Sequence, residues 1–273
     1  MTLRRSPLVL LPVLAALAGC GGGGGGSSGN FADVPDYVPL SNRTADKTSN
    51  LKGFVINSEG AASEQFVQAT GKLRHETGAL EDFGINGQNV NDRDGDAGGE
   101  WSSGSVTITK DEGTFAGSYR YSGLYRVEGG TTEGPAIIGV VTAAGDVPRS
   151  GSATYRGDGF VAGVINGATA VDGLGQSRVD ADFGTGRVDV TISSLDDPNV
   201  DTVTISDMSI SGNGFSGGTI AIDGSTAPLG TGVTVDAQGA FYGQSGNQPA
   251  EAGGGFTANG SQGELFGGFL AKK

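Results

Sequence analysis

The C-terminal stretch from Gly239 to Lys273 constrains the fold more than any other part of the chain. It runs Gly-Ala-Phe-Tyr-Gly-Gln over 239–244, Glu-Ala-Gly-Gly-Gly-Phe over 251–256 and Leu-Phe-Gly-Gly-Phe-Leu-Ala-Lys-Lys over 265–273. Single large aromatics alternate with glycines in short β-like runs. That pattern suits the closure of a small barrel, in which glycine relieves the bend and each aromatic fills one layer of the interior.

From Arg149 onward, turn signals recur every eight to twelve residues, as in an antiparallel barrel or sandwich. The alternation predicts strands over 152–156, 160–168, 178–183, 187–193, 202–211, 215–223, 233–242, 253–258 and 264–270, with hairpins at Gly184-Thr185-Gly186 and Asn213-Gly214. No helical segment interrupts them, so an up-and-down topology is expected. In Val188-Asp189-Val190-Thr191-Ile192-Ser193 the apolar residues point in and the polar ones out. A transmembrane barrel would reverse that polarity. The expected fold is all-β: an eight-stranded antiparallel soluble barrel at the C-terminus, preceded by a smaller β-rich region. A barrel of this size fills its own interior with side chains, so binding would use its loops and rims.

The same residues carry a family resemblance. Gly239, Phe241, Tyr242, Gly243, Glu251, Gly253, Gly254, Phe256, Phe266, Gly267, Gly268 and the final lysines resemble the barrel terminus of bacterial surface lipoproteins of the transferrin-binding protein B type. Val147 to Gly157 resembles that barrel's first strand, and Val179 to Gly186 its central hairpin. The resemblance covers roughly the last 125 residues well and the preceding hundred loosely. It implies a handle-like region over 50–148 and the barrel over 149–273. It also implies capture of an iron source, a protein carrier or haem, and its delivery to a membrane receptor of the TonB-dependent kind. Family members have two lobes, and this chain has room for one, so the cargo need not be transferrin.

Arg4 and Arg5 followed by an apolar run from Leu8 to Leu17 form a signal peptide over 1–19, and Leu17-Ala18-Gly19-Cys20 reads as a lipobox. The run is too short for a permanent membrane span and is interrupted by Pro12. Cys20, the only cysteine, can make no internal disulfide, and lipidation gives its thiol a chemical purpose. Residues 20–49 read as a tether that opens with six glycines at 21–26. Gly21 in place of an aspartate favours outer-membrane placement, with the cell surface as the expected site.

Lys and Arg number 17 against 30 Asp and Glu; loss of Arg4 and Arg5 with the signal leaves 15 against 30, a charge of −15. Such a surface repels nucleic acid, and the basic clusters that would bind it are missing. Glycine, 52 of 273 residues, is interleaved with Val, Ile, Thr and Phe, which argues for tight turns in a β-protein rather than disorder.

Upstream of the barrel, Leu51 to Ile56 predicts a strand and Ser63 to Leu73 a helix. Asp92, Asp94, Asp96 and Glu100 imitate a calcium loop, but Ala97 and Ser103 stand where that loop needs glycine and glutamate, and a solvated acidic turn is favoured. Phe115, Tyr119, Tyr121 and Tyr125 fall at odd positions of one predicted strand, a face that reads as packing before it reads as a ligand platform.

Enzyme chemistry is not expected. The single histidine, His75, has no G-x-S-x-G elbow and no second histidine for zinc. No resident cofactor or metal is expected. For haem as cargo, His75, Met208, Tyr119, Tyr121 and Tyr125 are the candidate axial ligands. Partner binding is assigned to two segments: Ser194 to Asp201, with Asp196, Asp197 and Asp201, and Gly157 to Phe160. The alternative function is a structural or adhesive envelope lipoprotein without a dedicated ligand.

Overall fold

A computed structural model describes residues 37–42, 47–57, 65–85, 88–92, 100–130 and 132–273. The signal segment, Cys20, Asp94 and Asp96 lie outside the described residues. The described residues fall within one compact unit, Pro35–Lys273. They are all-β apart from one 3-10 turn, Ala227–Leu229.

The first sheet contains β1 (Thr48–Asn57), β2 (Gln65–Arg74), β3 (Ala79–Ile85), β4 (Gln88–Asp92), β5 (Glu100–Ser103), β6 (Val106–Lys110), β7 (Ser122–Glu128) and β8 (Gly134–Val140). Its order, β4-β3-β2-β1-β8-β7-β6-β5, is two four-stranded meanders joined where β1 pairs with β8. The sheet curls until its ends meet through side chains. Ser102 of β5 donates its N–H to Asp92 Oδ2 of β4 at 2.8 Å, and the Trp101 indole donates to the Gly78 carbonyl at 2.9 Å. Leu51, Val55, Leu73, Phe83, Trp101 and Tyr125 fill the hollow.

Where a helix is expected over 63–73, the described part, from Gln65, is a strand. Ala69 and Leu73 alternate into the core with polar residues between them. Ladders to β1 and β3 take the backbone groups that a helix would have satisfied internally.

The second sheet is a closed barrel of β9 (Ser152–Ile165), β10 (Thr169–Asp182), β11 (Arg187–Ser193), β12 (Val203–Ser211), β13 (Gly214–Ser216), β14 (Thr219–Ile222), β15 (Thr234–Tyr242), β16 (Glu251–Gly260) and β17 (Gly263–Lys272). β13 and β14 both pair with β12 and form one strand broken at Gly217 and Gly218, whose φ angles of 81° and 97° no other residue adopts readily. Eight staves therefore run up and down, and β17 closes on β9.

Two expected strands, 152–156 and 160–168, are the single β9. Its glycines do not break it because it is laddered on both sides, Gly157 to Ser177 and to Ala271. The turn expected at Asn213-Gly214 falls one residue earlier: Ser211 pairs with Gly214, and Gly212 takes the positive φ of 60°.

The glycine–aromatic pattern has a steric cause. Gly239 and Gly254 face each other across β15 and β16. A Cβ on Gly239 would stand 2.3 Å from the Phe215 ring, and one on Gly254 would stand 2.2 Å from the Gln238 carbonyl oxygen. The space they leave is filled by a chain of rings: Phe241 lies 5.2 Å from Phe215 and 5.6 Å from Phe183, and Phe215 lies 6.4 Å from Phe269. The barrel interior is solid.

The outer face of the first sheet packs on the barrel wall, with Phe54, Leu124 and Ile137 against Ala240, Tyr242 and Leu270. Only Tyr125 of the four aromatics expected on one face lies in a regular strand. The segment 111–121 is irregular, and its Phe115, Tyr119 and Tyr121 wedge into this joint while Tyr125 points the other way onto Trp101.

Candidate functional site

With the lumen filled, any partner must be met on the outside of the barrel. Outward positions on β9 and β10 include Phe160, Ala162, Val164 and Leu174, because the residues between them, such as Val161, Ile165 and Val171, turn into the core. Phe160 stands opposite Leu174 on one side and Gly268 on the other, and Ala162 stands opposite Phe266 of β17. Leu174 and Val164 are the exposed large hydrophobics among the described residues, at 42% and 39%. Together these side chains form an apolar strip on the barrel flank.

The β11–β12 loop borders this strip. β10 is twice as long as β11, which pairs only with its residues 176–182. The remaining edge of β10 would expose unpaired N–H groups, a template for unwanted pairing. The loop covers it. Asp196 Oδ1 accepts the Leu174 N–H at 2.6 Å, Asp197 Oδ2 accepts the Asp172 N–H at 3.0 Å, and the Asp196 N–H donates to the Leu174 carbonyl at 3.0 Å. Leu195 turns into the core beside Gly173 and Gly175, where a Cβ would stand 3.3 Å and 3.2 Å from its side chain.

Backbone N–H donation from Asp172 and then Asn199 holds the Asp197 carboxyl below the usual carboxylate range, so it is charged at neutral pH. The acids are therefore edge caps, and both remain on the surface beside Leu174.

The structure brings Asp196, Asp197 and Phe160 to the same flank, joined through Leu174. Asp201 stands at the far end of the loop. Its carboxylate accepts the Thr202 hydroxyl at 3.0 Å, and its N–H donates to Asp223 Oδ1 at 3.2 Å. Gly157–Phe160, expected as a loop, is the middle of β9, and Phe160 is half-buried against Phe115 with ring centres 6.3 Å apart. Leu174, Val164 and Phe266 were missed as site residues. The signal was Gly173-Leu174-Gly175, a leucine at an outward position between two glycines that the loop packs against.

The candidate haem ligands are engaged elsewhere. His75 is fully buried, with Nε2 2.7 Å from Ser49 Oγ and Nδ1 3.2 Å from the Asn42 carbonyl. Met208 is in the barrel core. Tyr119 donates to Asp158 Oδ2 at 2.7 Å and lies 2.9 Å from the Leu270 carbonyl. Tyr121 and Tyr125 are buried. No group of three or more metal-ligating side chains occurs among the described residues.

Comparison with curated protein sequences finds no match. Among solved structures, transferrin-binding protein B from Haemophilus parasuis is 20% identical with a TM-score of 0.48, over 82% of this chain and 44% of that one. The isotype 1 protein from serogroup B Neisseria meningitidis is 21% identical with a TM-score of 0.48, over 82% and 43%. A variant from Actinobacillus pleuropneumoniae is 17% identical with a TM-score of 0.42, over 83% and 99%. The chain thus spans less than half the length of the first two. Residues 147–273, just under half of the chain, match the family described as the C-lobe and N-lobe beta barrels of Tf-binding protein B, and this segment has a transferrin-binding protein B-like β-barrel fold.

Proposed function

We propose that the chain is an outer-membrane lipoprotein, anchored through Cys20, that captures an iron source on the outer flank of its barrel and hands it to a membrane receptor. The cargo is a protein that carries iron or haem, and the receptor is of the TonB-dependent kind. The single observation that carries this reading is the solid barrel interior beside an exposed apolar strip. A barrel that cannot enclose a small ligand but offers Leu174, Val164 and the half-buried Phe160 to solvent is suited to a macromolecular partner. The family match of residues 147–273 supports a binding role over a catalytic one, and the lipobox supports the anchor.

The test is a pull-down with residues 30–273, which contain the whole compact unit. Bait is exposed to an iron-starved outer-membrane extract and to spent medium, with the Soret absorbance of the retained material recorded. A retained carrier, receptor or haem signal that Leu174→Glu abolishes is the expected result. Replacing Asp196, Asp197 and Asp201 together by Asn keeps one acceptor oxygen at each position and removes three charges; at 197 the amide then faces either the Asp172 or the Asn199 N–H. For a basic partner this weakens binding and flattens its salt dependence. Nothing retained from either the extract or the medium would overturn the capture reading in favour of a structural envelope role.

A further inference from the structure

We propose that the barrel carries an oxyanion site on its outer wall, built by Arg156 and Arg178, that takes a phosphate monoester. Residues 147–273 hold six Lys and Arg against thirteen Asp and Glu. Three of those six stand in one row across adjacent strands: Lys272 opposite Arg156, and Arg156 opposite Arg178. Neighbouring strands are about 4.8 Å apart, and like charges placed directly opposite destabilise a sheet. On so acidic a barrel the clustering costs stability unless something takes up the charge.

Two of the three cations have protein partners. Arg178 grips Asp180 through Nε to Oδ2 at 2.6 Å and Nη2 to Oδ1 at 3.0 Å. Lys272 donates to the Ser118 carbonyl at 3.2 Å and lies over the Tyr119 ring. Asp180 feels the field of Arg156 as well as that of Arg178, but among the described residues no hydrogen bond or ion pair takes up the Arg156 guanidinium.

Beside it runs an open groove of about 470 Å³, lined among others by Arg156, Gln176, Arg178, Thr191, Ser193 and the Asp180 carboxylate. Asp180 already takes the Nε and one Nη2 donor of Arg178; the Arg156 guanidinium, the remaining Arg178 donors, an amide and two hydroxyls still offer more than the two oxygens of a second carboxylate can accept. The three terminal oxygens of a phosphate monoester match them, and forked guanidinium donors suit that geometry. The site adjoins the apolar strip, since on that face the row of Gln176 opposite Asp158 is next to that of Leu174 opposite Phe160, but it does not depend on what that strip binds.

Free phosphate and a lipid headgroup share this chemistry, and the test separates them. Residues 30–273 are titrated with inorganic phosphate by calorimetry and floated with phosphatidylcholine vesicles with and without phosphatidic acid. Saturable phosphate binding and a melting temperature that rises with phosphate are expected. Arg156→Gln weakens binding about tenfold, the loss of one charge-assisted contact. Arg187→Gln, which removes a cation bonded to the Asp207 carbonyl and Ser209 Oγ elsewhere on the barrel, leaves it unchanged. Without phosphate, Arg156→Gln changes the melting temperature little, since relief of repulsion from Arg178 and Lys272 offsets the lost attraction to Asp180. Flotation only with phosphatidic acid supports the headgroup source, and calorimetric binding without flotation supports the soluble one. No response in either arm, or equal weakening by Arg187→Gln, overturns the site.

Discussion

Glu251 is the buried carboxylate on which the joint between the first sheet and the barrel turns, and replacing it tests the reasoning most directly. The residue lies on β16 at 3% exposure. Its Oε1 accepts the Arg120 N–H at 2.6 Å, and its Oε2 accepts the Tyr121 N–H at 3.1 Å and the Ser122 hydroxyl at 2.7 Å. In Glu251→Ala the Ser122 hydroxyl can rotate to a new partner, but two backbone N–H groups are left unsatisfied in a dry joint. At about 1–3 kcal/mol each the loss is about 2–6 kcal/mol, a large share of the 5–15 kcal/mol typical of a folded protein. Glu251→Gln keeps one acceptor and turns an amide N–H₂ toward the other donor, so its cost is about 1–3 kcal/mol. Urea unfolding of both variants against the parent, with equal m-values, measures the two losses.

The pH dependence of that cost has a definite sign. Burial raises the Glu251 pKa, and the Ser122, Arg120 and Tyr121 donors lower it by less, so the folded protein holds this proton to higher pH than the unfolded chain does. The stability it contributes is full below the ordinary glutamate value of about 4.3 and is lost as pH rises through the raised folded value. Glutamine does not titrate. The destabilisation by Glu251→Gln is therefore greatest near pH 4 and shrinks toward pH 8, whatever the other carboxyls do, because they cancel between parent and variant. A cost that grows with pH would show that the three donors outweigh burial and would refute the reasoning.

Three further outcomes are expected. Gly254→Ala should cost about 3 kcal/mol or more, since its Cβ meets the Gln238 carbonyl oxygen rather than a movable side chain, whereas Gly145→Ala, with nothing within 4 Å, should change the urea midpoint little. Tyr119→Phe removes the hydroxyl that bonds Asp158 and the Leu270 carbonyl, and thermal unfolding should show a loss of about 1–3 kcal/mol. Replacing both Asp196 and Asp197 by Ala uncaps the edge of β10. Hydrogen exchange at the Asp172 and Leu174 amides should accelerate while the Val179 amide, inside the β10–β11 ladder, keeps its rate; equal rates at 172 and 174 would mean the caps do not protect the edge.

What the sequence made legible follows from which forces are local. The strand 187–193 was predicted with the bounds it has, because its alternation is uninterrupted and the Gly184–Gly186 turn fixes its start. The barrel itself was legible because Gly239, Gly254 and the rings of Phe241, Phe256 and Phe269 record an interior that must be filled layer by layer. The misreadings all concern partners distant in sequence. Residues 65–74 have a weak local period, and only pairing with β1 and β3 makes them a strand. Gly157 and Gly159 look like a break until β17, more than a hundred residues later, ladders alongside them.

The acidic loop was legible as a feature, but its edge-capping role was not. Asp196 and Asp197 looked like charges displayed for a partner, yet one oxygen of each carboxylate is committed to a β10 N–H left unpaired by the shortness of β11. Nothing in the spacing of 196 and 197 could show this, because the length of β10 depends on β9, not on β11. The commitment also makes the loop rigid and sets its remaining charge beside Leu174 at a fixed position. A partner that docks there meets a surface already ordered and loses less conformational entropy on binding than it would against a free loop. Partner-binding and edge-capping are thus separable by chemistry: asparagine at 196 and 197 keeps one acceptor for each β10 N–H and removes the charge, at the cost of the Asp197 bond from the Asn199 N–H, whereas alanine removes both caps and charge. Capture that survives asparagine and fails with alanine would assign the loop's contribution to its rigidity, and capture lost with either would assign it to charge.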